Sequence, residues 1–199
     1  MEEQIMVTDN AWVNHQFGED SLRLIRIGEK RGISLLESNY SFTARSCAES
    51  NNAYKQIVSY CLIESGDCFF ITQRKKKQTE NRLHNMFSLG IGGHIGITDV
   101  GSGSVIMSGL IRELSEEVDI RCGYSLSFLG LINDNSSEVS AVHIGVCYLV
   151  KLSGKMCFVK ETEKMSGFWI QRSELASYYD KLEGWSKILA NSIEQKSNE

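Results

Sequence analysis

From Gln56 onward the apolar and polar positions sort into strands and helices. QIVSYCLI and CFFITQ are β-rich runs parted by ESGD, which is a hairpin signal. RKKKQTENRLHN (74–85) is a long polar loop, and MFSLGIGGHIG is a short strand entering a glycine-rich turn. The loop GSGS follows, with Ser104 placed to cap a helix over 105–118. On a wheel at about 100° per residue, Met107, Leu110, Ile111, Leu114 and Val118 gather on the side that packs on a sheet, while Glu113, Glu116 and Glu117 project together from the other. SFLGLI (127–132) and AVHIGVCYLVKL (141–152) are strands around the turn NDNSSE. The tail has two helical pieces, from Ser173 and from about Asp180, and Tyr179, Leu182, Trp185, Leu189 and Ile193 fall at a helical spacing that signals core packing. Residues 1–55 carry only weak periodicity broken by polar stretches such as ARSCAESNN. The organisation is an N-terminal extension over 1–55 followed by a domain over 56–199. Its strands interleaved with a few helices predict an α/β or α+β sandwich.

Length and composition narrow this without changing it. The chain has 199 residues, 42% hydrophobic and 23% charged, as in an ordinary soluble globular domain. A net charge of −4 argues against broad nucleic-acid binding. The opening MEEQIMVTDNAWVN has no basic-then-apolar signal peptide, and no apolar run approaches a membrane span. Six cysteines, none in a CxxC pair and most inside apolar runs such as YCLI and VCYLV, predict reduced core residues in a cytoplasmic setting.

The chemistry concentrates in IRELSEEVDI (111–120). Glu113 and Glu117, four apart, repel by roughly 0.2–0.5 kcal/mol. Carboxylates in the last turns also oppose the helix dipole, at about 0.3–1 kcal/mol each. No lysine stands nearby in sequence. Three carboxylates on one helical face form a hard oxygen site suited to Mg²⁺ or Mn²⁺, ions that fill their shells with water and substrate phosphates. A solvated acidic face is the plainer reading of such a cluster. The glycine turn before it, whose backbone can reach the same metal or phosphate, weights the balance toward a metal-bridged phosphate site.

Gly92-Gly93 followed by Arg112-Glu113-Leu114-Ser115-Glu116-Glu117 resembles the box of the Nudix hydrolase family, G-x5-E-x7-R-E-U-x-E-E-x-G-U with U aliphatic. The segments HNMFSLGIGGHI and LGLINDNSSEVSAVHIG are similar to a bacterial subgroup of Nudix phosphohydrolases of unsettled substrate. The resemblance covers roughly residues 55–190 and implies a Nudix-type α/β/α sandwich with a mixed sheet. It also implies Mg²⁺- or Mn²⁺-assisted hydrolysis of a diphosphate linked to another moiety, with a nucleoside diphosphate derivative as substrate. By motif position Glu113, Glu116 and Glu117 hold the metal, the Gly92 carbonyl completes the shell, and Arg112 orients the acids. Two departures stand out. Gly93 and Arg112 are 19 positions apart (112 − 93) where the family spacing is 14, an insertion of five. The family's early glutamate falls on Ser104, so either Asp99 substitutes for it or Arg112 lacks its usual partner. Asp119 also replaces the late glycine of the box, while Ile120 fits its final aliphatic position.

Around this core, Gly93 and His94 beside the turn, and Arg74, Lys76 and Arg82 in the basic loop, are candidate substrate contacts; the loop, with Lys75, Lys77 and His84, either attracts an anionic substrate or is a solvated charge run, and the two readings stand level. Glu161 and Glu163 in VKETEKMSG are candidates for a general base from a later loop, with a solvated loop as the competing reading. His143 and Trp169 are expected in the core, though Trp169 in GFWI also has the ring to stack on a base. A catalytically weak nucleotide-binding or sensor domain on the same fold is the alternative function. Isopentenyl-diphosphate isomerase, a relative on this fold, needs a cysteine near the glycine turn, and SLGIGGHIG has none. The partner is a small diphosphate or nucleotide, with no membrane; a monomer and a homodimer both stay open.

Overall fold

The apolar runs on either side of ESGD fold back on one another, Ile63 facing Phe70 and Ser65 facing Cys68, with Gly66 supplying the positive φ of 57° at the turn. In the computed structural model, residues 2–18, 23–75 and 86–197 are described. The first elements are β1 (Gln4–Asp9), α1 (Asn10–Phe17), α2 (Glu29–Glu37), β2 (Ser41–Ala44), α3 (Arg45–Ser50) and β3 (Tyr54–Ser65). Next come β4 (Cys68–Arg74), β5 (Phe87–Ser88), β6 (Gly90–Ile91) and α4 (Val105–Glu117). The remainder is β7 (Val118–Ile120), β8 (Tyr124–Ile132), α5 (Glu138–Ala141), β9 (His143–Leu152), β10 (Cys157–Val159), β11 (Met165–Gln171), α6 (Leu175–Tyr178) and α7 (Gly184–Ser197). Two compact units alternate along the sequence: Met1–Tyr60, Gly92–Glu113 and Phe128–Cys147 make the first, and Cys61–Ile91, Leu114–Ser127 and Tyr148–Glu199 the second.

In the first unit β1 is paired on both edges, with β2 through Ile5↔Thr43 and with β3 through Val7↔Gln56. Its Met6 N–H also donates to Ile95 O at 2.7 Å, just past the glycine turn. Ile5, Val7 and Ala48 are fully buried together, with Tyr54 against them. The strand therefore stabilises the segment that carries Gly92, Gly93 and His94, and residues 1–55 belong to the fabric of this unit.

Lys55 is fully buried beside that strand. Its ammonium donates to Asn135 Oδ1 at 2.8 Å, Ala141 O at 2.9 Å and His143 O at 3.4 Å. Burial drives its pKa down to about 8, with the charge of buried Asp134 opposing the shift. A Lys55→Met variant leaves those acceptors and the Asp134 charge without their counterpart. It is expected to lose about 3 kcal/mol or more in a urea titration, and a variant as stable as the parent would show that the ammonium is dispensable.

In the second unit β4 is paired with the end of β3, with β5 through Thr72↔Ser88, and with β11 through seven positions from Met165↔Arg74 to Gln171↔Cys68. Strands β7 and β10 form a separate two-stranded sheet, Val118 facing Val159. Leu182, Trp185 and Leu189 are buried along the tail, as the helical spacing predicted, with Ile188 buried beside them, while Tyr179 and Ile193 are only half-buried; Ser186 Oγ takes the Leu89 N–H at 2.7 Å. The six cysteines carry no disulfide, and Cys61, Cys68, Cys147 and Cys157 are buried. Among the described residues no helix is long and apolar enough to cross a membrane.

Helix α4 runs one residue short of the expected 105–118, because Val118 starts β7. Its buried face also differs from the wheel. Ile106 and Leu110 are fully buried, but Ile111 is 38% exposed. The cause is Gly109, where an added Cβ would lie 2.9 Å from Asp99 Oδ2 and from Ile95 Cγ1. The bare glycine lets that neighbouring turn close in, and this rotates the packed stripe toward Ile106 and away from Ile111.

Candidate active site

Helix α4 begins under two caps. Ser104 Oγ accepts from Met107 N–H at 3.1 Å, and Glu37 Oε1 from α2 accepts from Ser104 Oγ at 2.6 Å and from Ile106 N–H at 3.1 Å. An oxygen cap with a carboxylate beside the positive pole is the favoured chemistry for a helix start. One turn further on, the 3₁₀ turn Ile97–Asp99 puts Asp99 against Gly109. Asp99 accepts from Arg112 Nε at 2.7 Å and Nη2 at 2.8 Å, a two-point grip, and from Gly96 N–H at 2.8 Å. Arg112 spends its remaining reach on Glu113 Oε1 at 2.7 Å and His94 O at 2.9 Å. Burial pushes the Asp99 carboxyl up, but the Arg112 and Gly96 hydrogen bonds and the guanidinium charge outweigh it and hold the carboxyl below its usual range. Arg112 is raised in turn, chiefly by its bond to Asp99.

That grip seats Glu113. An added Cβ on Gly93 would lie 2.4 Å from Glu113 Oε2, so the carboxylate occupies the space that any larger residue would fill. An added Cβ on Gly92 would lie 1.9 Å from Ser59 O, so the preceding glycine presses on the backbone of β3. Both glycines of the turn are required by close approach.

His94 follows, half-buried, with Nε2 at 2.7 Å from Gln56 Oε1 and its ring 5.6 Å from the His143 ring. Burial first, then the charges of Arg45 and His143, lower its pKa from 6.5 to about 4, against Glu3 and Glu49. The unfolded chain thus takes up a proton between those values that the folded chain refuses. Stability from the neutral ring is full above about 6.5 and is lost as the pH falls through about 4. Denaturation midpoints should decline from pH 7 to pH 4 in the parent and decline less in His94→Gln. Equal slopes would place the loss elsewhere.

Glu116 is exposed and Glu117 half-buried in the last turn of α4, within the second unit. There burial, and after it the Glu117 charge, pushes the Cys61 thiol up to about 12. Lys160 N–H donates to Glu117 O at 2.9 Å and the Lys160 ammonium to Ser115 O. Glu161 and Glu163 lie on the exposed turn after Lys160, Glu161 paired with Lys164 at 2.7 Å. Arg74 is exposed at the end of β4. Lys76, Lys77, Arg82 and His84 lie outside the described residues. Trp169 packs edge-on against Phe70 at 5.3 Å. His143 starts β9 half-buried, Nδ1 at 2.5 Å from Val139 O.

As oriented, no three His, Cys, Asp or Glu side chains converge on one point among the described residues. The donor chemistry still suits a hard cation: Glu113, Glu116 and Glu117 are three carboxylates carried within five positions of one helix, and the Gly93 cradle leaves room for the first of them.

No family model matches the chain. The crystal structure of Tm1382, named as a candidate Nudix hydrolase, is 35% identical, has a TM-score of 0.82, and the match covers 96% of this chain and 98% of that one. The chain belongs to the Nudix hydrolase family. Protein YmaB of Bacillus subtilis (strain 168) is 36% identical over 167 residues, 80% of this chain and 81% of its own. The NUDIX domain of Shewanella oneidensis NrtR, complexed with ADP ribose, shares the fold at 14% identity and a TM-score of 0.56, covering 71% of this chain and 88% of that one. In this Nudix hydrolase, as the interleaved pattern predicted, the fold is α/β. The inserted turn supplies Arg112 with Asp99 in place of the early glutamate, and Ser104 at that position is a helix cap. Glu37, Gln56 and Lys160 were not singled out from sequence, because each acts on a residue at least 38 positions away.

Proposed function

We propose that this chain is a Mg²⁺- or Mn²⁺-dependent hydrolase that cleaves the diphosphate linkage of a nucleoside diphosphate derivative. One observation carries the reading: Arg112, gripped at two nitrogens by Asp99, seats Glu113 over Gly93 on the helix that also bears Glu116 and Glu117. Those glutamates and the Gly92 carbonyl would hold the cation, which when bound neutralises phosphoryl charge and lowers the pKa of water. Arg112, occupied by Asp99, Glu113 and the His94 carbonyl, positions the acids and is not a phosphate ligand. Gly93, His94, Arg74, Lys76 and Arg82 are the proposed substrate contacts, the basic side chains matching the charge of a diphosphate. Glu163, on an exposed turn after β10, is the proposed acceptor of a proton from the attacking water. The substrate class agrees with the ADP ribose bound to the NrtR domain of the same fold.

The alternative, a domain that binds nucleotide and turns over slowly, draws its support from the altered start of the box, the five-residue insertion together with Ser104 at the early glutamate. Asp99 on Arg112 supplies an acid for the one missing at Ser104, which supports the hydrolase reading over it. The test is a screen of nucleotide sugars, dinucleoside polyphosphates and nucleoside triphosphates with Mg²⁺, scored by phosphate or mononucleotide release. Turnover of one class supports the hydrolase. Tight nucleotide binding with no release across the panel would favour the binding domain.

A further inference from the structure

The last turn of α4 places Glu116 and Glu117 where the negative pole of the helix already lies, and where backbone carbonyls have no partner inside the helix. One residue takes two of those carbonyls. Lys160 N–H donates to Glu117 O at 2.9 Å, and the Lys160 ammonium reaches back to Ser115 O, 45 positions earlier. The register of the small sheet brings it there, Val159 facing Val118. The turn that follows Lys160 is itself pinned: Lys75 donates from its N–H to Lys164 O at 2.8 Å and from its ammonium to Thr162 O at 2.7 Å. Lys160 is exposed, yet it is a fixed strut and not a loose surface arm.

We infer that Lys160 is a positioning residue for the cation-binding carboxylates, an inference that rests on the hydrolase reading above. By satisfying two carbonyls and setting a positive charge at the negative pole, it keeps the last turn wound and Glu116 and Glu117 at their helical spacing. Lys160 has two opposed effects on a divalent cation. Its charge repels the ion through space, while its hold on the turn preorganises the ligands. The hold is the larger, because the ammonium's hydrogen bond to the Ser115 carbonyl is a direct contact while its repulsion of the ion acts through solvent that screens it; the N–H bond to Glu117 O belongs to the backbone and is kept in every variant. Removing Lys160 therefore weakens cation binding even though it makes the neighbourhood more negative. A lysine acting only by its charge would give the reverse sign, and an idle surface lysine would give no change.

The test is titration of the full chain with Mn²⁺, followed by the electron paramagnetic resonance of the free ion, in the parent, Lys160→Gln, Lys160→Arg and Glu117→Gln. Glu117→Gln should lose binding. Lys160→Gln should raise the Mn²⁺ Kd about tenfold, the order of one charge-assisted hydrogen bond. Lys160→Arg, which keeps donor and charge, should stay close to the parent, and hydrogen exchange at the last-turn amides should quicken in Lys160→Gln alone. If Lys160→Gln binds Mn²⁺ as tightly as the parent or tighter while Glu117→Gln does not bind, the role of Lys160 is overturned and the hydrolase reading stands. If the parent itself binds no Mn²⁺, both fall.

Discussion

Replacing Glu117 by glutamine is expected to leave a folded protein with at least about a hundredfold less of the proposed Mg²⁺-dependent turnover, the order that accompanies damage to a metal site. Glutamine keeps the shape of the side chain and removes only its charge. Cys61, pushed up to about 12 by burial and then by that charge, is a neutral thiol near neutral pH, so taking the charge away costs nothing there. The melting temperature should therefore stay near that of the parent while release of phosphate or mononucleotide from the best substrate collapses. Parental rates in this variant, with Mg²⁺ saturating, would show that the chemistry lies elsewhere.

The adjacent glycines separate stability from function. At Gly92 an added methyl meets the backbone of Ser59, with Ser59 O at 1.9 Å and Ser59 C at 2.7 Å. Backbone in a paired strand cannot step aside cheaply. Gly92→Ala is expected to cost about 3 kcal/mol or more. On a chain of this size that lowers the melting temperature by about 6–12 °C. At Gly93 the added methyl meets the end of the Glu113 side chain, with Oε2 at 2.4 Å, and that end can swing away. Gly93→Ala should keep most of its stability and lose turnover, because Glu113 is expelled from its seat. Thermal melts and steady-state rates on the two variants check both halves. If Gly92→Ala melts with the parent, the turn is looser than its geometry implies.

Helix α4 was legible because every term that made it stand out is local: the cap at Ser104, the apolar spacing and the crowded glutamates. What relieves that crowding was not legible. Arg112 sits beside Glu113 in sequence, but choosing between Asp99 as its partner and no partner at all needed the structure, and Lys160 arrives at Ser115 from 45 positions away. The wheel misplaced Ile111 because periodicity weighs side chains and is silent about Gly109, where the absence of one decides which face packs. Residues 1–55 looked featureless for a related reason. Strand β1 gains its order from β2, from β3 and from Ile95, partners too far along the chain for any short window around it to contain.

Lys55 sets a timetable for synthesis. Its three acceptors lie 80, 86 and 88 residues further along, so on a growing chain the ammonium must stay in water until they have left the ribosome. Burying it earlier would strand a charge without partners, which costs several kcal/mol. The first unit therefore cannot close around β3 as its N-terminal strands appear, and its assembly waits for the segment that reaches His143. Chains stalled with residue 120 as the last to emerge should be cut readily by protease within residues 1–60, and chains stalled beyond residue 150 should resist. Early resistance would mean that Lys55 enters the interior before its partners exist.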